Sequence, residues 1–190
     1  MGFLKKLFGN VEKANKGEIP AEEIVPSFTN DLAEEADGYW RQMEQNLLIN
    51  AVKAVGGPEA VERAFVLANF KENQETFELF YQVDGQLLSW KEMDAAVVDK
   101  ISNQLLPQAP EVARAVNENY EEAKVPVIEY AMLQFETATM AWFGRKLTTA
   151  SPEAQLTFEE LVSGWRGVIE EEIPTHPIDS DTAFPYFEVR

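Results

Sequence analysis

His176 is the single histidine of the chain, and it stands between Pro174 and Pro177. An imidazole can serve as a general base near neutral pH. It needs partners to do so, and the sequence offers none: no cysteine, no Gly-x-Ser-x-Gly elbow and no second histidine that would make a zinc site. His176 therefore reads as a loop histidine. Carboxylates are the other candidates, with 33 Asp and Glu against 16 Lys and Arg. Glu170, Glu171 and Glu172 form a run and Asp179 and Asp181 a spaced pair, and both offer the oxygen ligands that Mg²⁺ or Ca²⁺ would take. Neither follows the EF-hand pattern, in which Gly makes the turn and Glu closes the loop. Gly56-Gly57 leads into Pro58 and stops a helix instead of cradling phosphate. No cofactor is implied, and no catalytic residue is singled out.

The Glu run falls at the end of an expected helix, where the helix dipole opposes negative charge by roughly a few tenths of a kcal/mol. Such a placement suits a positive partner, the ordinary alternative being a solvated face. The charge balance points the same way. The net charge is −17, but Lys5, Lys6, Lys13 and Lys16 against Glu12 give residues 1–16 a net of +3, so the rest of the chain carries −20. A body this acidic repels phosphate backbones, which argues against nucleic acid, and attracts a basic protein. The bland reading is that the charge serves solubility alone.

Hydrophobic residues make up 45% of the 190 and charged residues 26%, a globular mixture that needs no staple. The absence of cysteine fits a reducing compartment, and no apolar run approaches the length of a membrane span, so a cytoplasmic chain without stable membrane insertion is expected. The start, Met1-Gly-Phe-Leu-Lys-Lys-Leu-Phe-Gly9, lacks the apolar stretch of a signal peptide, and Lys6 stands where a myristoylation motif has Ser or Thr. As a short amphipathic turn it could lie on a membrane or dock on a partner, but nine residues bind lipid weakly and a frayed terminus is the preferred expectation.

Three parts follow along the chain: a basic N-terminal segment and linker over 1–27, one domain over 28–173, and an extended Pro- and aromatic-rich tail over 174–190. Leu32, Ala36, Tyr39, Trp40, Met43, Leu47, Ala51 and Val55 recur at helical spacing, with Thr29, Asn30 or Asp31 as cap. Residues 64–90 read as an antiparallel meander whose last turn is Asp84-Gly85. Ser89 and Glu92 have capping-box spacing ahead of Met93, Val97, Ile101 and Leu105, Pro110 opens another helix, and Thr157 with Glu160 opens the last. Residues 127–147 match both a helix and a pair of strands. Two strands, about 127–135 and 139–147, are preferred because Pro126 favours an extended start and β-branched and aromatic residues abound. The expected fold is α+β, an antiparallel sheet of the 64–90 meander extended by 127–147 and packed against a long N-terminal helix and a C-terminal helix.

This order of elements, with the strand pair Phe65–Phe70 and Phe77–Gly85, a helical middle, a strand-rich stretch ending Met140-Ala-Trp-Phe143 and a closing helix, resembles the YezG-like family of bacterial immunity proteins over residues 30–172. The resemblance implies a protein that neutralises a toxin, often a nuclease, and it implies no particular residues. Together with the charge it gives the leading expectation, a non-enzymatic domain that binds a basic protein such as a toxin. Acids and aromatics would form the binding surface: Trp90, Trp142, Phe184 and Tyr186 as anchors, with Glu170, Glu171, Glu172, Asp179 and Asp181 as charges. The alternatives are a small enzyme or ligand-binding domain built on carboxylates and a divalent metal, and a membrane-proximal adaptor tethered by residues 1–9.

Overall fold

A computed structural model describes residues 31–176 together with Tyr186, Phe187 and Val189. The segment over 1–27, the candidate caps Thr29 and Asn30, the Asp179 and Asp181 pair and Phe184 lie outside these residues. The apolar stripe through Ala36, Trp40, Leu47, Leu48, Ala51 and Val52 winds into helix α1 (Asp31–Ala54), with acids in its first turn and Lys53 in its last, as the helix dipole favours. Gly56 and Gly57 end it at φ 109° and 123°, and their amides return to the carbonyls of Lys53 and Val52. A side chain rarely tolerates that backbone, so glycine is required there.

Next come β1 (Arg63–Asn69), β2 (Thr76–Val83) and β3 (Gln86–Ser89), the expected meander. Asp84 and Gly85 both take positive φ at the β2–β3 turn. The chain then crosses one face through α2 (Ala95–Lys100) and α3 (Ala109–Glu122), and returns as β4 (Ile128–Glu136) and β5 (Ala141–Thr148), followed by α4 (Phe158–Glu172). The ambiguous 127–147 segment is thus a hairpin of two strands. The five strands pair antiparallel in the order β3-β2-β1-β4-β5. β1 lies in the middle with all seven residues buried, and for that reason its inner stretch, Ala64 to Ala68, is a continuous apolar run without alternation between the polar ends Arg63 and Asn69.

The stretch after β3 differs from a single helix. The Ser89 and Glu92 capping box exists, but it closes one turn, Trp90–Glu92, and α2 starts afresh with Asp94 as its cap. A wide π-helical turn over Ile101–Leu105 and a tight turn over Leu106–Gln108 then lead into α3. Pro107 has no amide to give to a regular helix, and the altered turns absorb its ring. The Thr157 and Glu160 box caps α4 as expected.

The two expected helices sit on opposite faces of the sheet. Ala64, Val66, Ala68, Leu79, Tyr81, Ala131 and Leu133 face α1, α2 and α3. Phe65, Leu67, Phe80, Tyr130, Met132 and Leu147 face α4, where Trp165 is fully buried and meets Phe65 edge-on at 6.0 Å. Small strand residues let α1 and α3 approach closely, while one helix over the other face leaves volume that aromatic rings fill. The fold is α+β, and no helix among the described residues is long and apolar enough to cross a membrane.

Candidate protein-docking face

At one end of the sheet the β1–β2 turn and residues 127–129 stand beside the outer side of α3. Between them opens a depression of about 1050 Å³, whose walls carry Glu72, Glu75, Glu111, Glu121 and Glu129 against Lys71 and Arg114. Both cations are already engaged. Lys71 Nζ pairs with Glu129 at 3.2 Å, donates to the Ala154 carbonyl at 2.8 Å and lies 4.7 Å from the Tyr130 ring centre. Arg114 pairs with Glu118, one turn on in α3. Among the described residues Glu72, Glu75, Glu111 and Glu121 therefore keep carboxylates without an ion pair. A cluster of uncompensated charge on a concave surface concentrates field and steers an oppositely charged partner.

The other end is apolar. A groove of about 310 Å³ lies between the second half of α1 and the β4–β5 hairpin, walled by Leu48, Ile49, Val52, Phe135, Met140 and Trp142. Four large hydrophobic side chains are exposed among the described residues, and three of them, Ile49, Met140 and Trp142, meet here. The walls are fixed by polar contacts. Thr137 donates its amide to the Glu62 carbonyl and its hydroxyl to the Val61 and Glu62 carbonyls, which holds the hairpin base, and Tyr81 Oη donates to the Ala51 carbonyl at 3.0 Å, which holds the last turns of α1. Gly57 and Lys53 stand at the rim, with the Glu59 carboxylate over Gly57.

α1 continues along β5 away from this groove. Asp37 accepts hydrogen bonds from Lys146 Nζ and from Tyr120 Oη, the latter at 2.6 Å, and Lys146 Nζ also reaches Tyr120 Oη at 2.9 Å. Burial pushes the Asp37 carboxyl up, but these hydrogen bonds outweigh it and hold the group below its ordinary value. Burial and the adjoining Asp37 charge drive the Tyr120 phenol well above its own. Between this cluster and the groove sits Glu44, 6% exposed, its carboxylate over Gly144 of β5. Desolvation raises its pKa against the lowering influence of Trp40, Lys146 and Arg41. These contacts bind helix to strand.

The expected binding residues are scattered. Trp142 is at the surface on the apolar groove. Trp90 is 7% exposed, with Lys91 Nζ over its ring, and Tyr186 is 1% exposed against Phe65 and His176. Neither is an exposed anchor: Trp90 closes the end of β3, and Tyr186 packs in the core under α4. Glu170 pairs with Arg166 at 2.7 Å, Glu172 lies 3.5 Å from His176 Nδ1, and Glu171 borders a shallow cleft with Gly167. Arg166 thus offsets one of the three charges in the run. His176 is held at the end of α4, its amide bonded to the Glu172 and Ile173 carbonyls. No group of three or more His, Asp or Glu among the described residues is placed to hold a metal ion.

The sequence reading missed the acidic depression. Its members come from the β1–β2 turn, from α3 and from the start of β4, and the antiparallel pairing of β1 with β4 and the placement of α3 beside it bring them together. It also passed over Glu44, although this acid stands four residues after Trp40 on the apolar stripe of α1, where an acid is a visible anomaly. No protein-family model matches the chain, and no curated protein matches it.

Proposed function

We propose that the chain is a non-enzymatic acidic protein-binding domain whose partner is a basic protein, in the specific form an immunity protein that neutralises a basic toxin. The observation that carries the reading is the depression beside α3, where five carboxylates stand against two cations and four of the five form no ion pair. The overall charge of −17 and the resemblance of the element order to YezG-like immunity proteins support it. Such a surface presents carboxylates where a nuclease toxin expects phosphates, and opposite charge speeds the encounter. The reading places the chain in the cytoplasm, where a delivered toxin would act.

The test is a pull-down with the wild-type chain beside a Glu111→Lys/Glu121→Lys chain, at low and high salt, with captured proteins identified by mass. A basic protein retained by the wild type at low salt, weakened by salt and lost from the variant supports the reading. Its co-expression with the wild-type chain then relieves any growth arrest that it causes alone. Equal capture by both chains, or capture insensitive to salt, removes the depression from the binding surface.

A further inference from the structure

Of the two edges of the sheet, one is closed and the other is bare. β3 is four residues long, and its last residue, Ser89, gives its amide to the Glu92 carboxylate at 2.7 Å as the chain turns away. β5 runs for eight residues without a proline. Its backbone direction follows from the strand pairing, because successive residues of a strand between two antiparallel neighbours bond to opposite sides. At the two ends of β4 the Glu129 carbonyl accepts from Phe70 and the Thr137 amide goes to Glu62, so the odd-numbered residues of β4 bond β1 and the even-numbered ones bond β5. Those even residues stand opposite Ala141, Phe143, Arg145 and Leu147. Trp142, Gly144 and Lys146 therefore turn their amides and carbonyls outward, where the described residues offer them no hydrogen-bond partner. Such an edge is a template for another strand. We propose that β5 pairs antiparallel with β5 of a second copy about a two-fold axis between their Gly144 residues, which joins the two five-stranded sheets into one.

The strand is complementary to itself in that register. Opposed residues of an antiparallel pair point to the same face, so Trp142 stands opposite Lys146 of the second copy and Phe143 opposite its Arg145. All three outward residues then enter bonded pairs, and each aromatic ring meets a cation across the axis. Moving the axis to Arg145 sets two guanidinium groups against each other, and moving it to Phe143 carries Lys146 past the opposite strand to Met140 in the turn. Trp142, 37% exposed in the single chain, gains cover in the same step.

Charge selects the occupant. The chain carries −17 overall, but along β5 the charges are balanced: Arg145 pairs with Glu153, Lys146 pairs with Asp37, and Arg41 acts on both Asp37 and Glu44. A basic partner is drawn to carboxylates elsewhere, whereas a second copy meets here a stretch without local repulsion. The pairing uses none of the carboxylates of the depression beside α3 and does not rest on the proposed function.

Sedimentation equilibrium of the full chain over a range of concentrations, at low and high salt, tests it. The expected mass rises from 21.5 kDa toward twice that value, and added salt strengthens the dimer by screening the repulsion between two chains of −17. Amide exchange followed by NMR locates the contact in the wild-type chain. Trp142, Gly144 and Lys146 slow in step with the dimer fraction, while Thr148, whose amide Ser151 Oγ already holds at 3.0 Å, does not change. Trp142→Pro removes one outward amide at an edge position where proline is accepted, and it holds the mass at 21.5 kDa over the whole range. A wild-type chain that sediments at 21.5 kDa at every concentration overturns the proposal. So does a dimer that leaves the three amides exchanging as before, or one that salt dissolves. Slowing of the three amides only when a basic protein is added, with the mass of the chain alone unchanged, gives the edge to a partner strand and overturns it as well.

Discussion

On the α4 face of the sheet, Arg63 and Glu136 form an ion pair at 3.2 Å with both side chains fully withdrawn from solvent; on the α1 face, the pair of Lys146 with Asp37 still meets it. The buried pair has help: Arg63 Nη1 donates to Gln82 Oε1 and to the His176 carbonyl, and Gln134 Oε1 accepts the Tyr186 amide alongside. Even so, Arg63 Nη2 and Glu136 Oε1 find no hydrogen-bond partner. The difference teaches where this molecule tolerates rigidity. One face is sealed over its charges by α4 and Tyr186, while among the described residues the other leaves its edge strand β5, its half-exposed charges and an apolar groove open beyond α1.

Removing one member of the sealed pair is the largest expected effect. Glu136→Ala leaves the Arg63 charge buried and uncompensated, at a cost of about 3–5 kcal/mol in urea unfolding, whereas Arg63→Met/Glu136→Leu recovers most of it because apolar side chains restore packing without desolvating a charge. Equal destabilisation by the single and double variants would mean that the pair is worth more than its desolvation, and the contrast between the faces would narrow. Next in size is Gly144→Ala on the open face. An added Cβ overlaps Glu44 Oε1 and lies 2.8 Å from its Cδ and 3.1 Å from Leu133 Cδ2, so α1 must lift or Glu44 must rotate within a buried site, costing about 1–3 kcal/mol. Adding Glu44→Ala to it recovers part of the loss. A neutral Gly144→Ala would show that α1 rests loosely on β5.

The sequence revealed the parts of this comparison unevenly. α1, the meander and the capped start of α4 follow from local signals: a stripe at 3.6 spacing, Asp84-Gly85, and Thr157 with Glu160. The 127–147 hairpin was legible as two strands from Pro126 and the β-branched and aromatic content, while periodicity alone matched a helix as well, because alternate residues of β4 face α1 and α4 and both faces are covered. The sealed charges were invisible, since Arg63 and Glu136 are 73 residues apart and meet through the β1–β4 register. Trp142 stood out as an aromatic, but sequence does not separate it from Trp90, because exposure depends on the hairpin standing beyond α1. Charge was legible as a total and illegible as a place.

Acidity separates two carboxylates on the open face by the sign of their contribution. Glu44 has its folded pKa raised above the ordinary 4.5, so the folded state holds its proton more tightly than the unfolded chain does, and stability falls as pH rises from about 4.5 through the folded value. Glu44→Gln is therefore more stable than wild type at neutral pH, with the advantage vanishing as pH drops below 4.5. Asp37 has its pKa lowered below the ordinary 3.8, so its contribution is present above that value and is lost as pH falls through the folded one. Asp37→Asn is accordingly less stable at neutral pH, by a small amount because the pair is partly solvated. Urea midpoints of the three chains from pH 3 to 8 check both signs, and two curves bending the same way would refute the assigned environments.

The smallest stability effect is the one that bears most on function. Trp142 is 37% exposed on an edge strand, and among the described residues it shares the groove with Phe135, Met140 and the outer side of α1. For Trp142→Ala a cost within about 1 kcal/mol is expected, far from the cost of opening a core. A loss above about 2 kcal/mol in the full chain would make the indole part of the core and the groove a seam in it. A near-neutral result leaves a large aromatic side chain at the surface that folding of the described residues does not need. Such a residue is free to serve contact with something else, and the open face is then open for binding.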